Sequence, residues 1–102
     1  MNKYRNKITL LDGIKFRSQR EAVRYAELKL LERAKKIMKL ECQPKFPLLV
    51  NGEKVCIYIA DFRYETKDKN RVVEDVKGMR TALYLIKKKL LKACYGIDVI
   101  EV

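Results

Sequence analysis

Two aspartates and a lysine stand at spacings that could perform chemistry on a phosphate group. Asp61 lies in the β-branched and aromatic segment 55–64, and Asp75 and Lys77 lie in a second such segment, 71–77. Because side chains alternate between the two faces of a strand, Asp75 and Lys77 share one face. If the two segments pair as a hairpin, two carboxylates and one ammonium group converge.

Neighbouring carboxylates among apolar residues are costly, because each loses hydration and each repels the other. A divalent cation removes both costs, and a few hard oxygen ligands suit Mg²⁺ or Mn²⁺. Such an ion can polarise a phosphodiester, and the lysine can neutralise charge in the transition state. The alternative is that the two aspartates form ion pairs with Arg63, Arg71 or Lys77 on a solvated sheet edge. Spacing alone does not decide between the two.

The charge of the chain favours an anionic partner. In 102 residues, 24 Lys and Arg stand against 13 Asp and Glu, which gives a net charge of +11. The charge is also clustered, since residues 79–95 contain five basic residues and no acidic one. Nucleic acid is the leading partner for such a pattern, and a merely soluble basic surface is the alternative. The length fits one domain with one modest core.

The residue types that are absent exclude other chemistry. The chain has no histidine, and its three cysteines, Cys42, Cys56 and Cys94, form no CxxC motif, so a zinc site and histidine catalysis are excluded. We expect the cysteines to be small core residues in a reducing compartment. No apolar stretch approaches the roughly 20 residues of a membrane span, and the first residues do not resemble a secretory signal. A cytoplasmic location is therefore expected, with no membrane partner.

Hydrophobic periodicity and turn residues predict an α/β domain of order ββ-α-βββ-α-β. Asp-Gly and Asn-Gly pairs predict tight turns, Ser18 predicts a helix start, and Gly96 predicts a helix end. The predicted elements are a hairpin of 8–11 and 14–16, a helix from Ser18 to about Leu40, an extended edge segment 43–50, strands 55–64 and 71–77, a helix of about 81–95, and a final strand 97–102.

The same periodicity predicts which sides of these elements are buried. The two long strands are apolar on both faces, which is typical of central strands covered by helices on both sides. The first helix is expected to bury a stripe of Ala22, Val23, Ala26, Leu30, Ala34 and Ile37. The second is expected to bury Ala82, Leu83, Ile86, Leu90 and Ala93.

The motifs in this order resemble the PD-(D/E)XK nuclease superfamily, specifically a small phage-type branch similar to Holliday junction resolvases and transposon-end endonucleases. The residues that carry the resemblance are Gly13 to Phe16, Ser18-Gln19-Arg20-Glu21, Gln43-Pro44, Ile59-Ala60-Asp61-Phe62 and Val73-Glu74-Asp75-Val76-Lys77-Gly78. The resemblance implies a restriction-endonuclease-like fold, a single domain with a mixed sheet flanked by helices. It also implies a catalytic set of Glu21, Asp61, Asp75 and Lys77, with the main-chain carbonyl of Val76 completing the metal shell.

Two departures from the family pattern bear on this assignment. Ala60 stands where the family name has proline, at a position that touches no ligand. Glu74 adjoins Asp75, and parity selects Asp75 as the ligand because only Asp75 shares a face with Lys77. Glu74 is then expected to face the opposite layer.

Several assignments stay open at the level of sequence. Glu21 has the spacing of a capping box with Ser18, and it lies off the expected apolar stripe, on a line with Tyr25 and Leu28. It is therefore either a helix cap or a member of the metal shell. Gln43 could bond a metal-bound water or the phosphate, or satisfy a sheet edge. Arg63 could contact phosphate or pair with Asp75 or Glu65.

The function that these observations favour is a Mg²⁺-dependent endonuclease that acts on branched DNA, as a homodimer because one short chain carries one site. Predicted DNA contacts are Gln43, Arg63, Arg80, Lys87, Lys88, Lys89 and Lys92. The alternatives are the same chemistry on nicks, flaps or transposon ends, and a non-catalytic basic module that binds nucleic acid.

Overall fold

The structure is a computed structural model that describes residues 8–76 and 80–102. Lys77 and Gly78 lie outside the described residues. The elements are β1 (Thr9–Leu11), β2 (Ile14–Phe16), α1 (Gln19–Arg33), β3 (Ile37–Cys42), β4 (Lys45–Val50), β5 (Glu53–Ile59), β6 (Phe62–Thr66), β7 (Arg71–Asp75), α2 (Ala82–Tyr95) and β8 (Ile100–Glu101). The α/β class is confirmed, but the described chain has five strands between the two helices and not the three predicted.

The strands form mixed sheets. β1 and β2 form a hairpin, β4 and β5 form a second antiparallel pair, and β3, β6, β7 and β8 form a four-stranded sheet in that order. In the four-stranded sheet β7 and β8 are parallel and the other neighbours are antiparallel. The predicted turns are confirmed, since φ is positive at Asp12 and Gly13 and again at Asn51 and Gly52.

The predicted strand 55–64 was wrong in one respect, because the chain bends at Ala60 and Asp61 and divides into β5 and β6. The opposite strand bends at the same level, at Gln43 and Pro44. Two backbone bonds cross the bend, from Gln43 N to Asp61 O at 2.9 Å and from Ala60 N to Pro44 O at 3.1 Å. The β3–β6 and β4–β5 pairs are thus two arms of one hairpin that turns a corner.

The predicted end of the first helix at Leu40 was also wrong. Helix α1 ends at Arg33, and Lys35 takes a φ of 59°, a left-handed conformation that stops the helical ladder. The segment Ile37–Cys42, whose first part was predicted to belong to the helix, pairs with β6 as an edge strand. Sheet pairing overrides the local helical pattern here.

The buried faces of both helices differ from the predicted stripes. Helix α1 buries Ala22, Tyr25 and Leu28, whereas Val23 and Leu30 are exposed. Helix α2 buries Leu91, whereas Leu83 and Ile86 are 62% and 57% exposed. The line of Tyr25 and Leu28, which also carries Glu21, is therefore the face of α1 that packs on the protein.

Two hydrophobic clusters lie on opposite sides of the central strands, as the predicted two-sided burial requires. The first joins α1 to Phe62 and Tyr64 of β6, and the second joins α2 to Val73 of β7. The cysteines are unpaired, and Cys94 is exposed, contrary to the expected core position. Among the described residues, neither helix is long and apolar enough to cross a bilayer.

A buried ion pair fastens α1 to β7. Glu74 is 1% exposed and accepts two hydrogen bonds from Arg24, at 2.8 Å from Nε and 2.7 Å from Nη2. The Tyr64 hydroxyl donates a further hydrogen bond to the same carboxylate. This bidentate geometry is the strong form of an arginine–carboxylate pair. Glu74 faces α1, as parity predicts.

We expect Arg24→Met to lower the free energy of unfolding by about 3 kcal/mol, because it leaves the buried Glu74 carboxylate with the Tyr64 hydroxyl but without a cationic partner. Urea denaturation monitored by circular dichroism measures this loss. The matched control is Glu27→Gln, which removes only the exposed Arg24–Glu27 pair at 3.2 Å and should cost no more than about 0.5 kcal/mol. Equal losses in the two variants would contradict the role given to the buried pair.

Candidate active site

Asp61 and Asp75 lie side by side where β6 begins and β7 ends. The backbone N–H of Asp61 donates to Asp75 Oδ1 at 3.0 Å, and the backbone N–H of Val76 donates to Asp61 Oδ2 at 2.7 Å. Each carboxylate is thereby held by the backbone of the opposite strand. The predicted convergence of the two aspartates is confirmed, although the bend at Ala60 and Asp61 produces it and not an uninterrupted strand.

The remaining oxygen of Asp75 is held from the α2 side. The hydroxyl of Tyr58, a buried residue of β5, donates to Asp75 Oδ2. Burial raises the pKa of Asp75, the Tyr58 hydrogen bond opposes that shift, and the charge of Asp61 adds to it. Burial and the same hydrogen bond raise the pKa of Tyr58, so the phenol stays a donor.

Asp61 is the more perturbed of the two acids. Burial raises its pKa to about 7, and the Val76 N–H partly offsets this rise. Glu21 adds to the rise through charge repulsion and a hydrogen bond, whereas the positive charge of Arg17 acts against it. Glu21 and Arg17 therefore both lie close to Asp61.

Glu21 takes part in the cap of α1 and also lies beside Asp61, and its place in a metal shell stays a prediction. Ser18 is the N-cap of α1, and its hydroxyl accepts from Glu21 N at 3.2 Å and donates to Glu21 Oε2 at 3.0 Å. The Glu21 carboxylate also interacts with Asp61. A helix cap and a neighbour of the acid pair are thus compatible, since Glu21 lies on the packed face of α1.

The donor chemistry of this site fits a hard divalent cation. Mg²⁺ is commonly held by one or two carboxylates, with water and substrate phosphate completing its octahedron. Asp61 and Asp75 supply two such groups, and their raised pKa values reflect a carboxylate environment that a cation would stabilise. In residues 8–76 and 80–102, no three Asp, Glu, Cys or His side chains are grouped so that they could hold a metal ion together. A two-carboxylate site is the arrangement that the described residues allow.

The predicted DNA-contacting residues fall into different environments. Gln43 adjoins the site through its backbone bond to Asp61, but its side-chain amide donates to Lys15 O at 3.2 Å. Arg63 pairs with Glu41 and lies 5.4 Å from the centre of the Phe46 ring, so the expected partners Asp75 and Glu65 were wrong.

Most of the basic residues of the α2 region have acidic partners. Arg80 and Lys88 pair with Glu101, and Lys92 pairs with Asp98 at 2.6 Å. Lys89 is exposed. Lys87 differs from the others, because its ammonium group donates to Ile57 O at 3.3 Å and lines the same cleft as Asp75. Contact between these basic residues and DNA stays a prediction.

This cleft, of about 270 Å³, was not predicted from the sequence. Besides Asp75 and Lys87 it is lined by Arg17, Tyr58 and Tyr84. Arg17 directly precedes the predicted N-cap Ser18 and stands four residues before Glu21, a signal that could have placed it near the acids. The sequence gives no comparable signal for Tyr58, because only the bend after β5 brings its hydroxyl to Asp75.

The fold and the acid pair define a small α/β protein with two carboxylates at the bend of a central hairpin. Residues 1–99 match the family described as "Protein of unknown function (DUF1064)", and the chain belongs to this family. Comparison with curated proteins and with solved structures gives no significant match.

In the presence of a chelator, Asp61→Asn should raise the free energy of unfolding by about 2 kcal/mol near neutral pH, because it removes a half-buried, repelled charge. Since the folded pKa of about 7 lies above the ordinary 3.8, the penalty is absent below the ordinary value, grows as the pH rises and is complete above the folded value. The gain should therefore disappear in acid. Urea denaturation across this pH range measures it.

The control for this variant is Asp68→Asn in the exposed β6–β7 loop, which should leave the midpoint unchanged at every pH. A loss of stability in Asp61→Asn at neutral pH would show that the Asp61 charge is compensated within the protein alone.

Proposed function

We propose that this protein is a divalent-metal-dependent endonuclease that hydrolyses phosphodiester bonds in DNA. The observation that carries the proposal is the pair Asp61 and Asp75, each held by the backbone of the opposite strand, with Glu21 beside Asp61. Two half-buried carboxylates that repel each other destabilise a fold, and functional sites are where such an arrangement commonly occurs.

The resemblance to PD-(D/E)XK nucleases supports this proposal. The acid-x-lysine motif begins with Asp75 at the end of β7, Asp61 directly precedes β6, which pairs with β7, and the helix glutamate lies next to Asp61. We propose that the four-stranded mixed sheet, covered on both sides by clusters that include α1 and α2, is a variant of the restriction-endonuclease-like fold. The DUF1064 family would then be a branch of that superfamily.

The proposed roles of the described side chains follow from their positions, and that of Lys77 follows from the motif alone. Asp61 and Asp75 would hold Mg²⁺ or Mn²⁺, with the Val76 carbonyl and, through water, Glu21 completing the shell. When bound, the cation supplies polarisation of the phosphodiester and neutralisation of developing charge. Tyr58 keeps Asp75 oriented through its hydroxyl bond. Lys77 would stabilise negative charge on the phosphate, as a lysine in that motif does.

We propose branched DNA, such as a four-way junction, as the substrate. The net charge of +11 supports a polyanionic partner, and the basic residues of α2 supply backbone contacts that carry no sequence information. Nicks, flaps and transposon ends are alternative substrates for the same chemistry. The cytoplasm, of the host cell if a phage encodes the chain, is the compartment in which we place this activity.

The proposal is tested by incubating purified protein with labelled four-way junction, duplex and single-stranded DNA, with Mg²⁺ or a chelator. We expect cleavage of the junction that depends on the cation and falls at least about a hundredfold in Asp61→Asn and Asp75→Asn, because each change removes a proposed ligand charge. The control Asp68→Asn should cut like the wild type.

A second readout does not depend on cleavage. Mg²⁺ or Mn²⁺ at about tenfold above its dissociation constant should raise the free energy of unfolding of the wild type by roughly 1.4 kcal/mol and that of Asp75→Asn by much less. Binding of DNA without cleavage, together with equal stabilisation of both proteins, would favour a non-catalytic nucleic-acid-binding module.

We further propose that the protein acts as a homodimer. Two symmetric cuts across a junction need two active sites, and a closed two-fold pair of 12.1 kDa chains supplies them. Light scattering of the protein–junction complex should give a protein mass of two chains per junction. One chain per junction with paired cuts would contradict this part of the proposal.

A further inference from the structure

The cleft beside Asp75 combines positive charge with exposed apolar surface. Its cationic side chains come from two separate elements, Arg17 from the β2–α1 connection and Lys87 from α2. Its apolar wall includes Ile59 of β5 and Leu83 of α2, which are 45% and 62% exposed. Arg17 and Lys87 are suited to bind a phosphate group. Ile59 and Leu83 are suited to contact an apolar part of a ligand.

Lys87 is directed into the cleft and is not free on the helix surface. Its ammonium group donates to Ile57 O at 3.3 Å, and its side chain is half-buried. One hydrogen bond leaves two of the three ammonium protons for a ligand. Lys89, two residues further along α2, is exposed and lies outside this cleft.

Leu83 and Ile86 show the same contrast. Both are exposed leucine-sized side chains of α2, and only Leu83 lines the cleft. Thr81, the N-cap of α2, places a further hydroxyl group at the same wall. The cleft therefore has a polar side and an apolar side within about 270 Å³.

We propose that this cleft binds one unpaired nucleotide of the DNA strand, next to the phosphate that Asp61 and Asp75 act on. Arg17, Lys87 and the Thr81 hydroxyl would contact the sugar–phosphate, and the base would lie against Leu83 and Ile59. The inference rests on the proposed nuclease function, and it names the feature of the substrate that the site recognises.

Three observations favour a single nucleotide as the occupant. The cleft is slightly smaller than the roughly 300 Å³ at which pockets for drug-sized ligands begin. It adjoins Asp75, so a nucleotide in it is continuous with a phosphate at the acid pair. A base within a duplex hides its faces by stacking, and only an unpaired base can offer a flat apolar face to Leu83.

This occupant explains selectivity without base reading. Contact between an aliphatic wall and a base face tolerates all four bases, because every base has such a face. Branch points, flaps and gaps present an unpaired nucleotide at little cost, whereas continuous duplex must first unstack one. We therefore expect the cleft to favour DNA in which the nucleotide beside the cut is already unpaired.

The test uses a duplex with one unpaired nucleotide at the branch point of a flap, and the same DNA with an abasic residue at that position. Leu83→Ala should reduce binding and cleavage of the first DNA about tenfold, since loss of a base contact has this size. The abasic DNA should show the same loss with wild-type protein and almost no further loss with Leu83→Ala, because the two changes remove one contact.

Leu83→Ala has a matched control on the same helix in Ile86→Ala, and Lys87→Gln has one in Lys54→Gln, an exposed lysine of β5 outside the cleft. Both controls should stay within about twofold of the wild type. Lys87→Gln should weaken binding of both the normal and the abasic DNA, because it removes a phosphate contact that does not depend on the base.

The outcomes separate this inference from the nuclease proposal. Cleavage in which the Leu83→Ala and abasic effects multiply would overturn the cleft assignment and leave the nuclease intact. If fluorescence anisotropy shows the same non-additive loss in binding but no cleavage occurs, the cleft binds the nucleotide and the nuclease proposal is wrong. A change of solution mass in Leu83→Ala, with DNA binding unaltered, would assign this surface to a second copy of the chain and overturn the inference.

Discussion

The hydrogen bonds between Asp61, Asp75 and the backbone at the bend are the constraint on which the rest of the structure depends. Asp75 accepts from the Asp61 N–H, which also donates to Glu74 O at 3.1 Å, and Asp61 accepts from the Val76 N–H, so both carboxylates add hydrogen bonds at the end of the β6–β7 ladder. Burial raises the pKa of both acids. The fold therefore holds a locally unfavourable pair of charges through hydrogen bonds from the backbone of the two strands.

The two faces of β7 make different contacts. Glu74 turns toward α1 and is neutralised by Arg24, whereas Asp75 turns toward α2 and is held by Tyr58. The first contact fixes α1, and with it Glu21, one turn of helix before Arg24. Glu74 thus stabilises the fold while its neighbour Asp75 belongs to the candidate active site. This is possible because consecutive side chains of a strand lie on opposite faces.

Local signals in the sequence predicted a large part of this arrangement. The Asp12-Gly13 and Asn51-Gly52 turns, the Ser18 cap, the Gly96 stop and the opposite faces of Glu74 and Asp75 follow from backbone preferences and strand parity. The β3 strand, the bend after Ile59 and the buried faces of the helices did not, because each depends on pairing or packing with distant segments. The acids could be found by motif and Arg17 by its place just before the helix start, but Tyr58 and Lys87 share a cleft with Asp75 only through that packing.

The bend also bears on how this site could be recognised in other chains. The N–H of Ala60 donates to the carbonyl of Pro44 across the bend, a bond that proline at position 60 could not make. In this protein the rigid residue lies on the facing strand, at Pro44, which is fully buried. The bend therefore forms in this protein with alanine before the aspartate and with proline on the facing segment. A sequence pattern for this bend should therefore accept a proline either directly before the aspartate or on the facing segment, at the place of Pro44.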